Sequence, residues 1–235
     1  MNNPICNNLR RINERIQEAC RKAGRDPSGI ILVAVSKTKP VSDVLQAINC
    51  GQFHFGENRA RELQEKMGLV KQEGVAWHFV GPMQTNKIKF MVDHVDWIQS
   101  IYKKKYLDEI EKRVAGTGRT INTLVQVNIS KEDQKTGCHP RDVPDILKHA
   151  QSLEHIRVRG VMGMAAHTDN TKEIRDEFKL LKAVFEDNLH LNGGAVDMQH
   201  ISMGMSHDLD IAVEEGSTMV RIGTAIFGER DYGNS

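Results

Sequence analysis

A single closed (β/α)8 barrel of the TIM type, with an extra N-terminal helix, is the fold the sequence predicts, and three observations carry it. Short apolar runs alternate with longer amphipathic ones, which implies parallel strands joined by helical crossovers. The short runs number eight. The chain has 235 residues, enough for one barrel around one core. An open doubly wound sheet is the rival arrangement of the same alternation. No Pro/Ser-rich linker, long-period repeat or low-complexity tract divides the chain, so residues 1–235 read as one domain.

The elements follow in order. A helix over Asn7–Ala23 precedes the first strand, Ile30–Ser36 (IILVAVS). The remaining strands are Phe53–Phe55, Trp77–Val80, Asp96–Gln99, Ile121–Ile129, Ile156–Met162, Met198–Ser202 and Thr218–Ile222. Between them, Val41–Asn49, Arg59–Lys71, Val143–Ser152 and Lys172–Asn188 place apolar residues at i, i+3 and i+4 and read as helices. Lys103-Lys104-Lys105 reads as a solvated helix start.

Composition narrows the function. Thirty-two Lys and Arg balance 31 Asp and Glu, a net charge of +1, and no basic block is interleaved with aromatics. That argues against a nucleic-acid partner. No apolar run approaches the ~20 residues that cross a bilayer, so no membrane partner is expected. The opening residues lack an apolar core segment of the secretory kind, and the four cysteines (Cys6, Cys20, Cys50, Cys138) form no C-x-x-C pair. A cytoplasmic protein with reduced thiols is therefore expected.

In such a barrel, chemistry sits at the carboxyl ends of the strands. The first strand ends on Ser36-Lys37-Thr38, the second on Gly56-Glu57-Asn58, the seventh on Ser202-Met203-Gly204-Met205-Ser206 and the eighth on Arg221-Ile222-Gly223-Thr224. Gly204 and Gly223 would let backbone N–H groups approach an anion, with Ser202, Ser206 and Thr224 adding hydroxyls. Turn and cap residues explain the same letters. Arg221, in an interior strand, needs a carboxylate or a ligand acceptor. Lys37 either snorkels to water or, desolvated, is a nucleophilic amine that condenses with aldehydes. Lysine, anion cradle and arginine together match an aldehyde bearing a phosphate and a ring nitrogen, which describes pyridoxal 5′-phosphate.

The stretches VAVSKTKP, FGEN, WHFVGPMQTNK, GVMGM and HISMGMSHDLDIAVEEGSTMVRIGTAIFGER closely resemble the pyridoxal phosphate homeostasis protein family, which shares the barrel domain of alanine racemase. The resemblance runs from the first strand to the C-terminus. It implies a Schiff base on Lys37, Asn58 beside the cofactor, Ser202, Ser206, Gly223 and Thr224 on the phosphate, and Arg221 facing the pyridine nitrogen. It further implies a cytosolic role in buffering or delivering the cofactor. Two departures stand out. Arg59 follows FGEN where the family has Tyr, and His207 follows SMGMS where Asp or Gly is usual.

Two function classes remain. Arginine is always a donor, so a ring nitrogen opposite Arg221 stays an unprotonated acceptor and a weak electron sink. Racemisation also needs an acid/base group on each face of the substrate carbon. In alanine racemase the second comes from a further domain and a partner subunit, which the chain's end, just past the Gly223 turn, is not expected to supply. A monomeric carrier without catalytic residues is the reading, with apo-enzymes as possible recipients of the cofactor. A slow racemase is the alternative, and a cofactor-free Schiff-base aldolase a third. Lys135 reads as an exposed lysine or a transient cofactor holder. His54, His78 and His200 read as core histidines, without metal-ligand spacing. Glu57 reads as a helix cap or as an acid near the cofactor. Met162, Met164, Met203 and Met205 read as core filling or as packing over a flat ring.

Overall fold

The computed structural model describes residues 3–130 and 136–229. Eight parallel strands close in sequence order: β1 Ile31–Val35, β2 His54–Glu57, β3 Ala76–Phe79, β4 Trp97–Ile101, β5 Ile121–Gln126, β6 Ile156–Met162, β7 Val196–Ser202 and β8 Met219–Ile222. Closure is made by β1 against β8, with Ile31 opposite Met219 and Ala34 opposite Ile222. The open sheet is thereby excluded.

The helices are α1 Pro4–Ala23, α2 Val41–Asn49, α3 Ala60–Leu69, α4 Lys104–Val114, α5 Val143–Ala150, α6 Thr171–Asp187, α7 Leu209–Glu214 and α8 Thr224–Phe227. Element bounds differ from the expected ones by a few residues. The largest strand difference is β5, which ends at Gln126 because Val127 turns off to bridge Cys138. The β3–β4 crossing is a 3₁₀ turn over Thr85–Phe90.

Two apolar layers result. The larger lies between strands and helices; the smaller fills the barrel, where Val33, Leu124, Met162 and Met219 meet. Such interior filling makes the barrel a packed core rather than a pore.

The extra helix is well specified. Asn3 caps α1 by accepting the Ile5 and Cys6 N–H groups, and Gly24 ends it at φ 64°. Ile5, Leu9, Ile12, Ile16 and Ala19, three or four apart, form its buried stripe. That stripe packs against α7, α8 and α2.

The expectation of four reduced thiols is corrected. Cys6 and Cys50 form a disulfide, with Cα atoms 5.4 Å apart and a sequence separation of 44. The first turn of α1 lies on the end of α2, which brings the two cysteines together. Cys20 and Cys138 are free and buried.

Candidate functional site

A cavity of about 500 Å³ opens at the carboxyl ends of β1, β2, β3 and β8. It gathers six of the seven site residues the sequence singles out: Lys37, Asn58, Ser206, Arg221, Gly223 and Thr224. A larger groove of about 860 Å³ lies elsewhere, walled by Ser130, His139, Lys172 and Glu177, and contains neither Lys37 nor Arg221.

Lys37 leaves β1 as the strand ends, and its neighbours are firmly held. The Ser36 N–H donates to Gly56 O and the Lys39 N–H to Ser36 O, each at 3.0 Å. Ser36 Oγ donates to Glu57 Oε1 at 2.6 Å. Glu57, at the end of β2, is fully buried, and burial pushes its carboxyl pKa up against the opposing pull of Lys66. The sequence offered Glu57 as a cap or an acid. It is neither a cap, since α3 opens without a side-chain cap, nor a lining residue of the cavity.

Arg221 on β8 is buried, and burial draws its pKa down to about 10, with Asp208 opposing at a distance. Its guanidinium donates to Ser202 Oγ at 2.6 Å and to Gly163 O at 2.9 Å. Both acceptors are neutral, and no carboxylate pairs with it among the described residues. Its side chain also lines the cavity.

From Arg221 a hydrogen-bond chain descends the barrel interior. Ser202 Oγ donates to Gln99 Oε1 at 2.7 Å. Gln99 Nε2 then faces His78 Nδ1 at 3.0 Å, and His78 Nε2 faces His54 Nδ1 at 3.0 Å. Since Gln99 Oε1 is the acceptor, its Nε2 is the donor, and His78 carries its hydrogen on Nε2. Every donor in the chain therefore points away from the cavity. Burial lowers the pKa of His54, His78 and His200, and keeps these rings neutral; for His78 the neighbouring His54 and His200 add to the effect. His54 and His78 are thus interior groups linked by a hydrogen bond, while His200 is half-buried and edge-on to Trp97.

Ser202 is the displaced expectation. It is fully buried, does not line the cavity, and is spent between Arg221 and Gln99. At the end of β7 its side chain turns inward, to Gln99 and Arg221. Gly204, expected to admit an anion, instead admits α7: a Cβ there would stand 2.6 Å from the Ala212 Cβ.

The remaining cradle is the β8–α8 turn with the Ser206 loop. Gly223 brings the backbone close to β1, since a Cβ there would meet Val35 O at 3.1 Å. The first N–H groups of a helix such as α8 have no partner within it. The helix α1 braces both loops: Asn8 donates to Ile226 O at 3.0 Å and Arg15 to Ser206 O at 3.1 Å. Asp208 accepts the Met205 N–H at 2.5 Å. Sequence reading missed Asn8 and Arg15, because on an amphipathic helix they look like ordinary solvated polar residues.

The donor set fits a ligand with an anionic end and an acceptor end. Arg221 brings an unneutralised donor to the wall, whereas Asn58, also on the wall, offers an acceptor there, a buried Oδ1 without a partner. His207 lines the mouth, its ring edge-on to His167 with centroids 5.5 Å apart. Met164 and Met205 line the cavity, whereas Met162 and Met203 are core. Arg59 is exposed at the N-terminus of α3 and does not reach the cavity. Lys135 lies outside the described residues. Among the described residues no three His, Cys, Asp or Glu side chains are grouped to hold a metal, and no helix is long and apolar enough to cross a membrane.

Residues 7–231 match the family described as alanine racemase, N-terminal domain. The pyridoxal phosphate homeostasis protein of Pasteurella multocida is 42% identical over 229 residues, covering 96% of this chain and 97% of that one. A solved protein of unknown function from Bifidobacterium adolescentis superposes with a TM-score of 0.88 at 30% identity, over 95% of this chain and 94% of that one. PipY of Synechococcus elongatus PCC7942, solved with PLP bound, gives 0.80 at 30% identity, over 92% of this chain and all of that one. The chain belongs to the pyridoxal phosphate homeostasis protein family, built on the alanine racemase N-terminal domain.

Proposed function

We propose that this chain binds pyridoxal 5′-phosphate and holds it for the cell without turning over a substrate. The observation that carries the reading is one cavity walled by Lys37, by the unneutralised Arg221 and by the Gly223–Thr224 turn. Pyridoxal phosphate supplies an aldehyde to an amine and an electron-accepting ring. Lys37 captures the aldehyde. Arg221 donates an N–H to the ring nitrogen, Asn58 lies beside the ring, and Ser206, Gly223 and Thr224 take the phosphate together with the first N–H groups of α8. Ser202 serves one step removed, by fixing Arg221.

A donor opposite the ring nitrogen keeps it unprotonated and leaves a poor sink for carbanion chemistry. That supports a carrier over a carbanion enzyme; the cytoplasm as its compartment, a monomeric state and apo-enzymes as recipients are further parts of the proposal. The purified protein should therefore show the absorption of the covalently held aldehyde, Lys37→Ala should lack it, and neither should invert an amino acid. Sedimentation and cell fractionation test the monomer and the compartment. Slow racemase activity is the second reading, favoured by the His167–His207 pair at the cavity mouth, which offers imidazoles for proton transfer. Stereoinversion that disappears in Lys37→Ala would select it.

A further inference from the structure

We propose that Lys66, working with Glu62 and Glu57, is a positioning residue for Lys37. The inference rests on the reading that Lys37 captures an aldehyde, and adds how its amine is aimed.

Lys66 is in α3, whose Arg61 and Glu65 are exposed and whose Glu62 is half-buried, yet only 4% of Lys66 is exposed. Its ammonium has three donors, and all three are used: Ser36 O at 2.7 Å, Glu57 Oε1 at 2.6 Å and Glu62 Oε1 at 2.8 Å. Each acceptor leads to the residues flanking Lys37. Ser36 O belongs to the preceding residue. Glu57 Oε1 also accepts Ser36 Oγ, and Glu62 Oε1 also accepts the Thr38 N–H at 2.6 Å. The ammonium thus ties down the chain on both sides of Lys37 at once.

That chain needs tying. Thr38 stands at φ 65°, the one non-glycine among the described residues with positive φ. A β-branched residue is strained there. A strained turn next to a reactive residue persists only where its surroundings over-determine it. Apolar packing alone would fill the space under β1 and β2 with less desolvation than a buried ammonium and two carboxylates. What the ions add is direction. Lysine has four rotatable bonds, and capture requires the amine within about 3–3.5 Å of the carbonyl carbon. Fixing the Cα on both sides removes part of that search.

Lys66→Met, Lys66→Arg and Glu62→Ala are compared with the unaltered protein for binding pyridoxal 5′-phosphate and pyridoxine 5′-phosphate. The second has an alcohol in place of the aldehyde, so it reports on the cradle alone. In Lys66→Met and Glu62→Ala the pyridoxine phosphate affinity should stay within about threefold, while pyridoxal phosphate affinity and the rate of borohydride-trappable attachment fall about tenfold. The pH midpoint of the bound aldehyde's absorption should also move, and Lys66→Arg should restore part of each loss. Equal weakening of both ligands, or no change in either, overturns the proposal. Should Lys66→Met fail to fold, Glu62→Ala decides alone, since its carboxylate is at the rim, 20% exposed. Failure of the site reading itself looks different: the unaltered protein would then bind both ligands alike, and borohydride would fix none on Lys37.

Discussion

Lys66 and Arg221 are almost equally hidden, at 4% and 5% exposure, and they are stabilised in opposite ways. Lys66 meets two carboxylates within 2.8 Å. Arg221 meets a hydroxyl and a carbonyl, and its pKa falls to about 10. A buried cation with its charge matched is complete within the fold. A buried cation held only by neutral acceptors, with its side chain on a cavity wall, has capacity left for something outside the chain. The contrast separates the scaffold from the binding face within one strand-end layer.

Substitution with a near-isosteric apolar residue should sharpen it. In cofactor-free protein, Lys66→Met leaves Glu57 buried and unpaired, and should lower the unfolding free energy by about 3–5 kcal/mol in urea titrations. Arg221→Met leaves no orphaned charge, so a loss of only about 1–2 kcal/mol is expected. Equal costs would erase the distinction. Ligand binding should then rank the two in reverse: Arg221→Met removes a charge-assisted donor worth about 1.5–3 kcal/mol, and pyridoxine phosphate should bind at least tenfold more weakly.

The neutral chain below Arg221 makes a pH prediction. The pKa values of His54, His78 and His200 lie below the ordinary 6.5 in the folded state, so unfolding takes up protons as pH falls through that value. Their stabilisation is present above pH 6.5 and is lost on acidification, at about 1.4 kcal/mol per pH unit for one fully neutral imidazole. The raised carboxyls of Glu57 and Asp96 act in the opposite sense, at lower pH. Denaturation at pH 7.5 and 5.5 should show the fall, and His78→Gln should flatten it. Smallest of all, Gln99→Leu should loosen Ser202 and with it Arg221, weakening pyridoxine phosphate by about threefold. An effect as large as that of Arg221→Met would mean that the chain, rather than the guanidinium, does the binding.

Much of this was legible in advance for a physical reason. Alternating periodicity reports burial, so the eight strands and the closed order could be anticipated, and an arginine inside TMVRIG stood out as a cation without a visible partner. Lys37 stood out likewise at the end of an apolar run. Lys66 did not, because in RELQEKMGLVK the apolar stripe is Leu63, Met67 and Val70 and every charge reads as part of the solvated face, and only the tertiary fold turns one of those charges under β1. Ser202 sits below the mouth, bonded to Arg221 and Gln99, and its depth was not legible, since a period of two fixes which residues share a face but not how far below the mouth each one sits. The Cys6–Cys50 pair joins α1 to the end of α2, a contact that no local pattern announces.

The account depends most directly on the amine of Lys37. Incubating the protein with pyridoxal 5′-phosphate, reducing with borohydride and mapping the digested peptides by mass spectrometry should find one reduced adduct, on Lys37, and none in Lys37→Ala. An adduct that persists unchanged in Lys37→Ala, or that falls only on other lysines, would contradict it.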